Sequence, residues 1–231
     1  MVCVFKVSPQ PQGSFIKSLV NIYTIKNEHF EEQAIELKKL FYRYKAKRLV
    51  IDGNGLGIGL VDYMVKSQID TDTNEIYPDF GVENDEENYY KKFRTDNCEY
   101  DAMYLIKANA PINTEAHANA QTQLSSGRVK LLIDERVAKV KLMGTKRGQD
   151  MKPEERAEYL KPFTLTSILK EEMMNLREET EGVNIILKQA NKGIRKDKFS
   201  AFEYGLYYIR QEEDNKKKRH KRNISDFMFL N

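Results

Sequence analysis

The chain has 231 residues, of which 40% are hydrophobic and 32% are charged, and a net charge of +3. This length allows one substantial hydrophobic core, and no apolar run approaches the roughly 20 residues needed to span a bilayer. The charge is unevenly distributed, because six positive charges lie within residues 216–222 and the rest of the chain sums to −3. A generally basic nucleic-acid-binding protein is excluded, so any attraction to DNA must be local.

The first half of the chain predicts a mixed α/β sheet. Residues 2–7 and 19–25 are β-branched and partly alternating, which favours strands, and residues 28–44 have apolar positions at helical spacing. Residues 48–52 form an apolar run typical of a buried strand, and residues 67–99 indicate a long acidic loop.

The second half predicts further alternation of strands and helices. Residues 129–142 fit either a hairpin or a helix that starts at Asp134, and the patterns compete. The other elements are a strand over 102–106, a helix over 113–125, a basic glycine-containing loop over 144–153, a helix over 165–181, a strand over 183–187 and a helix over 199–210. We therefore expect a domain over residues 1–210 and a basic tail over residues 211–231.

The run from Arg48 to Gly59 is the most informative segment. The predicted strand ends on Asp52 and breaks at once into a glycine-rich turn, and a helical pattern follows at Leu60, Val61, Met64 and Val65. Functional sites in open α/β sheets lie beyond the carboxyl ends of strands. The alternating glycines match neither the dinucleotide-binding fingerprint nor a phosphate-binding P-loop. Asp52 is thus either a catalytic carboxylate or an ordinary turn-forming Asp before Gly.

A second acid, Asp197, precedes the last predicted helix. Its ordinary interpretation is a helix N-cap, which Asp favours. Together with Asp52 it suggests a metal-dependent phosphodiester site, since Mg²⁺ and Mn²⁺ prefer oxygen ligands. The three histidines are too scattered for a metal cluster, Glu203 is expected on a solvated helix face, and Cys3 and Cys98 are expected to be reduced thiols in a cytoplasmic protein.

These segments resemble the nuclease domain of the large terminase subunit of tailed bacteriophages. Residues 49–62 are similar to its second acidic motif, and residues 196–208 to its closing acidic motif. Residues 29–34 and 113–127 also match, so the likeness runs in order over residues 1–210.

The resemblance implies a ribonuclease H-like fold, with a mixed central sheet flanked by helices. It implies that Asp52 and Asp197 are catalytic and hold Mg²⁺ or Mn²⁺ in a two-metal site that cleaves double-stranded DNA during genome packaging. It also implies location in the cytoplasm of an infected bacterium, and the portal protein, the small terminase subunit and an ATPase part as partners.

The chain departs from the family pattern at its start. The family carries its first acid on a strand that would precede residue 1, and residues 1–51 contain no Asp. We therefore expect an incomplete metal site, and an isolated chain that associates with another polypeptide or aggregates because a strand edge is open.

Two other functions remain open from the sequence. One is a non-catalytic packaging module that binds DNA or the portal protein through residues 216–222, and the other is a different ribonuclease H-like enzyme such as a resolvase or integrase. A basic run of this kind is more often a solvated segment without a partner.

Overall fold

The computed structural model describes residues 1–10, 14–25, 29–94 and 101–228, without the side chains of Leu56 and of residues 219–228. The chain is a mixed α/β protein. Its elements are β1 (Val2–Pro9), β2 (Phe15–Tyr23), α1 (Phe30–Arg43), β3 (Leu49–Asp52), α2 (Leu56–Met64), β4 (Gln68–Ile69), β5 (Ile76–Tyr77), a 3₁₀ turn (Lys91–Phe93), β6 (Met103–Ile106), α3 (Ala110–Ser125), β7 (Val129–Lys130), α4 (Glu135–Met143), α5 (Lys146–Asp150), α6 (Pro153–Met174), β8 (Leu176–Glu181), β9 (Asn184–Gln189) and α7 (Asp197–Met228).

The chain divides into two compact units. The first, which we call the terminal unit, comprises residues 1–24 and 110–231, and the second, the central unit, comprises residues 25–109.

The terminal unit is built on a sheet of β1, β2 and β7. β1 pairs with β2 in antiparallel fashion, and β2 pairs with β7 in parallel fashion. Helices α3, α6 and α7 pack beside it, because each carries apolar residues that would otherwise be exposed. The buried core consists of Leu19, Ile22, Ala120, Leu169, Phe199, Phe202 and Leu206.

A fully buried ion pair joins β2 to α7. Lys17 Nζ lies 2.5 Å from Glu213 Oε1 and 2.9 Å from Gln123 Oε1, and the side chains of Lys17 and Glu213 are both 0% exposed. The backbone N–H of Phe15 also donates to Glu213. Burial lowers the pKa of Lys17. Residue 213 is thus packed into the unit rather than solvated.

The central unit contains the parallel pair of β3 and β6. Asp52 is in register with Ile106, at the carboxyl ends of both strands. The outer edge of β6 is covered by the segment before it: Glu83 N–H donates to Met103 O, and the Asn84 side chain both accepts from Leu105 N–H and donates to Leu105 O. β4 and β5 form a separate antiparallel pair.

The predicted elements in the first half agree with the structure in type. β1, α1, β3, α2 and β6 lie close to the predicted positions, while β2 begins four residues earlier than residue 19. The acidic segment 67–99 is not only loop, since β4, β5 and the 3₁₀ turn lie within it. These elements are two or three residues long, which is too short for a periodic pattern.

The second half departs further from the prediction. The hairpin alternative for residues 129–142 is wrong, because Asp134 caps α4 by accepting a hydrogen bond from Arg136 N–H. The predicted loop 144–153 contains α5, whose first turn is capped by Thr145. Residues 176–181 form β8 rather than the end of a helix, and Gly182, with φ of 62°, makes the turn to β9.

The last helix is much longer than predicted. α7 continues from Asp197 to Met228, through the residues expected to form a tail. Within the described parts of the chain, no helix is both long and apolar enough to cross a membrane.

Candidate active site

Asp52 lies at the carboxyl end of β3, with its side chain exposed. Its Oδ1 accepts a hydrogen bond from the backbone N–H of Asn54, at 3.1 Å. The side chain of Asn54 donates in turn to the carbonyl oxygen of Ala108, at 2.9 Å, which ties the turn to the chain that follows β6. These hydrogen bonds fix the end of the strand. Among the described residues, none donates a hydrogen bond to Asp52 Oδ2.

The glycines of this turn have separate physical roles. Gly55 has φ of 56°, a conformation that a residue with a side chain rarely adopts. Gly57 lies in the first turn of α2, where an added Cβ would overlap the carbonyl oxygen of Asp52. At Gly59, an added Cβ would lie 2.8 Å from the ring of Phe30. The glycines thus let α2 start directly against the end of β3.

Asp197 is the first residue of α7, in the terminal unit. Its side chain is 58% exposed, and the nearest cation described is Arg195, whose Nη1 lies 3.9 Å from Asp197 Oδ2. The expected N-cap role is not what the structure shows. Asp197 belongs to the first helical turn, and the N–H groups of Lys198 and Phe199 are bound by another carboxylate.

That carboxylate is Glu172, which the sequence analysis did not single out. Glu172 belongs to α6 and is 2% exposed. Its Oε2 accepts from the N–H groups of Lys198 and Phe199, at 2.8 and 2.9 Å, and its Oε1 lies 2.9 Å from Lys198 Nζ. In the sequence, Glu172 stands out only as an acid on the apolar side of the helix predicted over residues 165–181. No local pattern predicts its contact with Lys198, which lies 26 residues later.

Glu203 is another acid for which the prediction was wrong. It is buried between α7 and α3 rather than solvated, with Oε2 at 2.6 Å from His117 Nδ1. Burial raises the pKa of Glu203, and the neighbouring imidazole opposes this shift. The other two histidines lie elsewhere: His29 precedes α1, and the side chain of His220 is outside the described residues.

The two sequence-predicted acids belong to different compact units, Asp52 to the central unit and Asp197 to the terminal unit. Among the residues that the structure describes, no three His, Cys, Asp or Glu side chains are grouped as they would be to hold a metal ion. Each acid taken alone offers the ligand type that Mg²⁺ or Mn²⁺ prefers, although Arg195 lies beside Asp197. Both present exposed carboxylate oxygens, the ligand type these hard cations prefer.

Cys3 lies in β1 and is partly buried, and this burial raises the pKa of its thiol to about 12. A thiol with so high a pKa is not a nucleophile near neutral pH. Cys98 lies outside the described residues.

No protein-family model, no curated protein and no solved structure matches the chain.

Proposed function

We propose that the chain is a metal-dependent endonuclease domain of the terminase type, with a ribonuclease H-like fold, that hydrolyses double-stranded DNA. The observation that carries the proposal is the position of Asp52, an exposed carboxylate at the carboxyl ends of two parallel strands, on a turn fixed by glycines. The order of elements supports the same fold, since an antiparallel strand pair is followed by a helix and then by a parallel pair.

In this proposal Asp52 and Asp197 are each a carboxylate ligand for Mg²⁺ or Mn²⁺. When bound, such ions activate a water molecule and stabilise the charge that develops on the leaving oxygen. The residues of the chain contribute oxygen ligands. The hydrogen bond from Asn54 N–H to Asp52 Oδ1 orients one carboxylate, and the first turn of α7 holds the other.

The proposed partners are double-stranded DNA and the other parts of a packaging machine: the portal protein, the small terminase subunit and an ATPase part. The proposed setting is the cytoplasm of an infected bacterium.

A second candidate is a packaging module that binds DNA without cutting it. The observation that favours it is the position of residues 216–222 on a continuous helix, where six positive charges fall within two turns. Such a helix would bind phosphates through counterion release, with an affinity that falls steeply as salt increases.

The decisive experiment is Mn²⁺-dependent cleavage of supercoiled plasmid by the full chain. Asp52→Asn and Asp197→Asn are each expected to lower the rate on the order of 100-fold, comparable to losing a group that stabilises developing charge. Asp72→Asn and Glu171→Gln, which change exposed acids in the same two units, are expected to leave it unchanged.

DNA binding, measured by gel shift at several salt concentrations, separates the two candidates. A nuclease retains binding when Asp52 or Asp197 is neutralised. Binding by a folded wild-type chain that cuts no DNA with either metal, and that loses its salt dependence when Lys216, Lys217 and Lys218 become Gln, would support the non-catalytic module instead.

A further inference from the structure

The two short helices α4 and α5 of the terminal unit carry a run of exposed positive charge, which we call the α4–α5 face. Its cations are Arg136, Lys139 and Lys141 of α4 and Lys146 and Arg147 of α5, all of them exposed. Residues 136–147 contain no acid. Within the part of the chain that the structure describes, none of these five side chains forms an ion pair. The nearest preceding acids lie at the start of α4, where Asp134 is engaged as the cap.

The corner between α4 and α5 is held in one geometry. Thr145 Oγ1 donates to Leu142 O at 2.7 Å and accepts from Gly148 N–H at 3.1 Å. The side chain of Gln149 donates to Met143 O at 2.9 Å. At Gly148 an added Cβ would overlap the Leu142 carbonyl oxygen, so α5 lies directly against the end of α4. The cations of the two helices are therefore presented by a backbone that needs no ordering when a partner binds.

The outward side of α4 also carries two valines. Val137 is 45% exposed and Val140 is 73% exposed, whereas Ala138 and Leu142 are buried. At 100° per residue, Val140 lies opposite the two buried residues, with a lysine of α4 on either side of it. A helix that lies in a lipid surface needs a broad apolar side of its own, and the apolar side of α4 is already buried in the fold. Isolated valines among cations favour a hydrated anionic partner instead.

The dimensions of α4 suit a polymer with closely spaced negative charges. Its nine residues span about 13 Å, and double-stranded DNA carries one negative charge per about 1.7 Å of its axis. Several phosphates would therefore lie within reach of the five cations.

We propose that the α4–α5 face binds the phosphate backbone of double-stranded DNA without reading its sequence. Contacts from lysine and arginine to phosphate fix the position of a duplex but carry no base information. This inference rests on the proposed function, in which DNA is the partner. It adds a contact surface that is separate in sequence from Asp52, from Asp197 and from residues 216–222.

The test measures the affinity of the full chain for a short fluorescein-labelled duplex by fluorescence anisotropy, with EDTA present so that no DNA is cut. The variant carries four substitutions: Lys139→Gln, Lys141→Gln, Lys146→Gln and Arg147→Gln. We expect its affinity at low salt to fall about tenfold or more. The plot of log affinity against log salt concentration should become shallower by about 1 for each cation lost.

A matched control removes the same number of charges from exposed residues elsewhere in the terminal unit. Its substitutions are Lys6→Gln, Arg177→Gln, Lys188→Gln and Lys192→Gln. This control should keep a salt dependence close to that of the wild type, because its residues lie outside the α4–α5 face.

A second measurement uses the wild-type chain and needs no variant to fold. Lysines are acetylated chemically with and without the duplex, and the modified positions are read by mass spectrometry. The duplex should protect Lys139, Lys141 and Lys146 and should leave Lys6 and Lys192 as reactive as before.

The inference is overturned if the α4–α5 variant and the matched control lose affinity equally, since net charge alone would then explain binding. It is overturned too if the duplex protects none of the three lysines. Binding to phosphatidylglycerol vesicles that depends on these residues, in a chain that binds no duplex, would assign the face to a membrane instead.

The outcome is separable from that of the nuclease proposal. Duplex binding that depends on the α4–α5 face, in a folded chain that cuts no DNA, would support the inference and count against the nuclease. Plasmid cleavage that requires Asp52, with a duplex affinity that tolerates all four substitutions, would do the reverse.

Discussion

The turn at Asp52 and the start of α7 at Asp197 both present an exposed acid, but they are held in different ways. The Asp52 turn is stabilised mainly from within, by an Asn two residues away and by glycines at positions 55, 57 and 59. The start of α7 is stabilised from a distance, by Glu172 of α6, which accepts from the N–H groups of Lys198 and Phe199. The turn at Asp52 can be recognised from the sequence of residues 48–59. The contacts that hold the start of α7 cannot, because they form only when the chain folds.

The same contrast extends to the units around the two acids. In the terminal unit, the Lys17–Glu213 pair joins residues 196 positions apart. In the central unit, Asp70 receives its hydrogen bonds from Asp72 and Thr73, and its ion pair from Lys39. Three predictions test how far each unit depends on near and distant contacts.

The largest effect is expected for Glu213→Ala in the terminal unit. The substitution leaves Lys17 buried without its carboxylate, and breaking such a pair costs about 3–5 kcal/mol of unfolding free energy. The double variant Lys17→Met, Glu213→Leu removes both charges and should be less destabilised than Glu213→Ala alone. Urea denaturation measures both, and equal losses in the single and double variants would show that the distant ion pair is not what holds α7.

A smaller loss is expected for Gly57→Ala in the central unit. The added methyl group would overlap the carbonyl oxygen of Asp52, so α2 or the end of β3 must shift, at a cost of about 1–3 kcal/mol. Gly144→Ala is the matched control, because an added Cβ there meets nothing closer than 3.4 Å and φ is −72°. A Gly57→Ala variant as stable as Gly144→Ala would mean that the Asp52 turn is less tightly packed than described.

The smallest effect is expected from the Asp70 carboxyl. Hydrogen bonds from Lys39 and Thr73 lower the pKa of Asp70 to about 2, so its ionised form is favoured in the folded state. A lowered pKa stabilises the fold above the unfolded value near 4, and this contribution disappears as the pH falls from about 4 to 2. In urea denaturation, Asp70→Asn should show a shallower loss of stability over this range than the wild type, and Asp72→Asn should not.

The segment around Asp52 could be predicted from the sequence, because its structure depends on residues that are close together in the chain. The apolar run before Asp52 and the glycines after it have a direct physical meaning, and β3, the turn and α2 lie where they were expected. α1 was predictable for the same reason, since Ala34, Leu37 and Phe41 form its buried side.

The remaining features depend on contacts that no sequence window contains. In the sequence, Glu172 is one of several acids in a charged helix. Its contacts with Lys198 and Phe199 form only when α7 packs against α6. The sequence around Glu203 predicts a solvated side chain. Its burial results from the packing of α3, which brings His117 within hydrogen-bond distance. The end of α7 was expected to be a tail because its charges resemble a solvated run, yet Glu213 is buried against Lys17.

The unbroken length of α7 gives the molecule a fixed spacing. With a rise of 1.5 Å per residue, Lys216 lies about 28 Å further along the helix axis than Asp197. At 3.4 Å per base pair, this corresponds to about eight base pairs of B-form DNA. If a duplex lay along α7 and touched both residues, Lys216 and Asp197 would contact it at points about eight base pairs apart. The number of helical residues between them sets that separation.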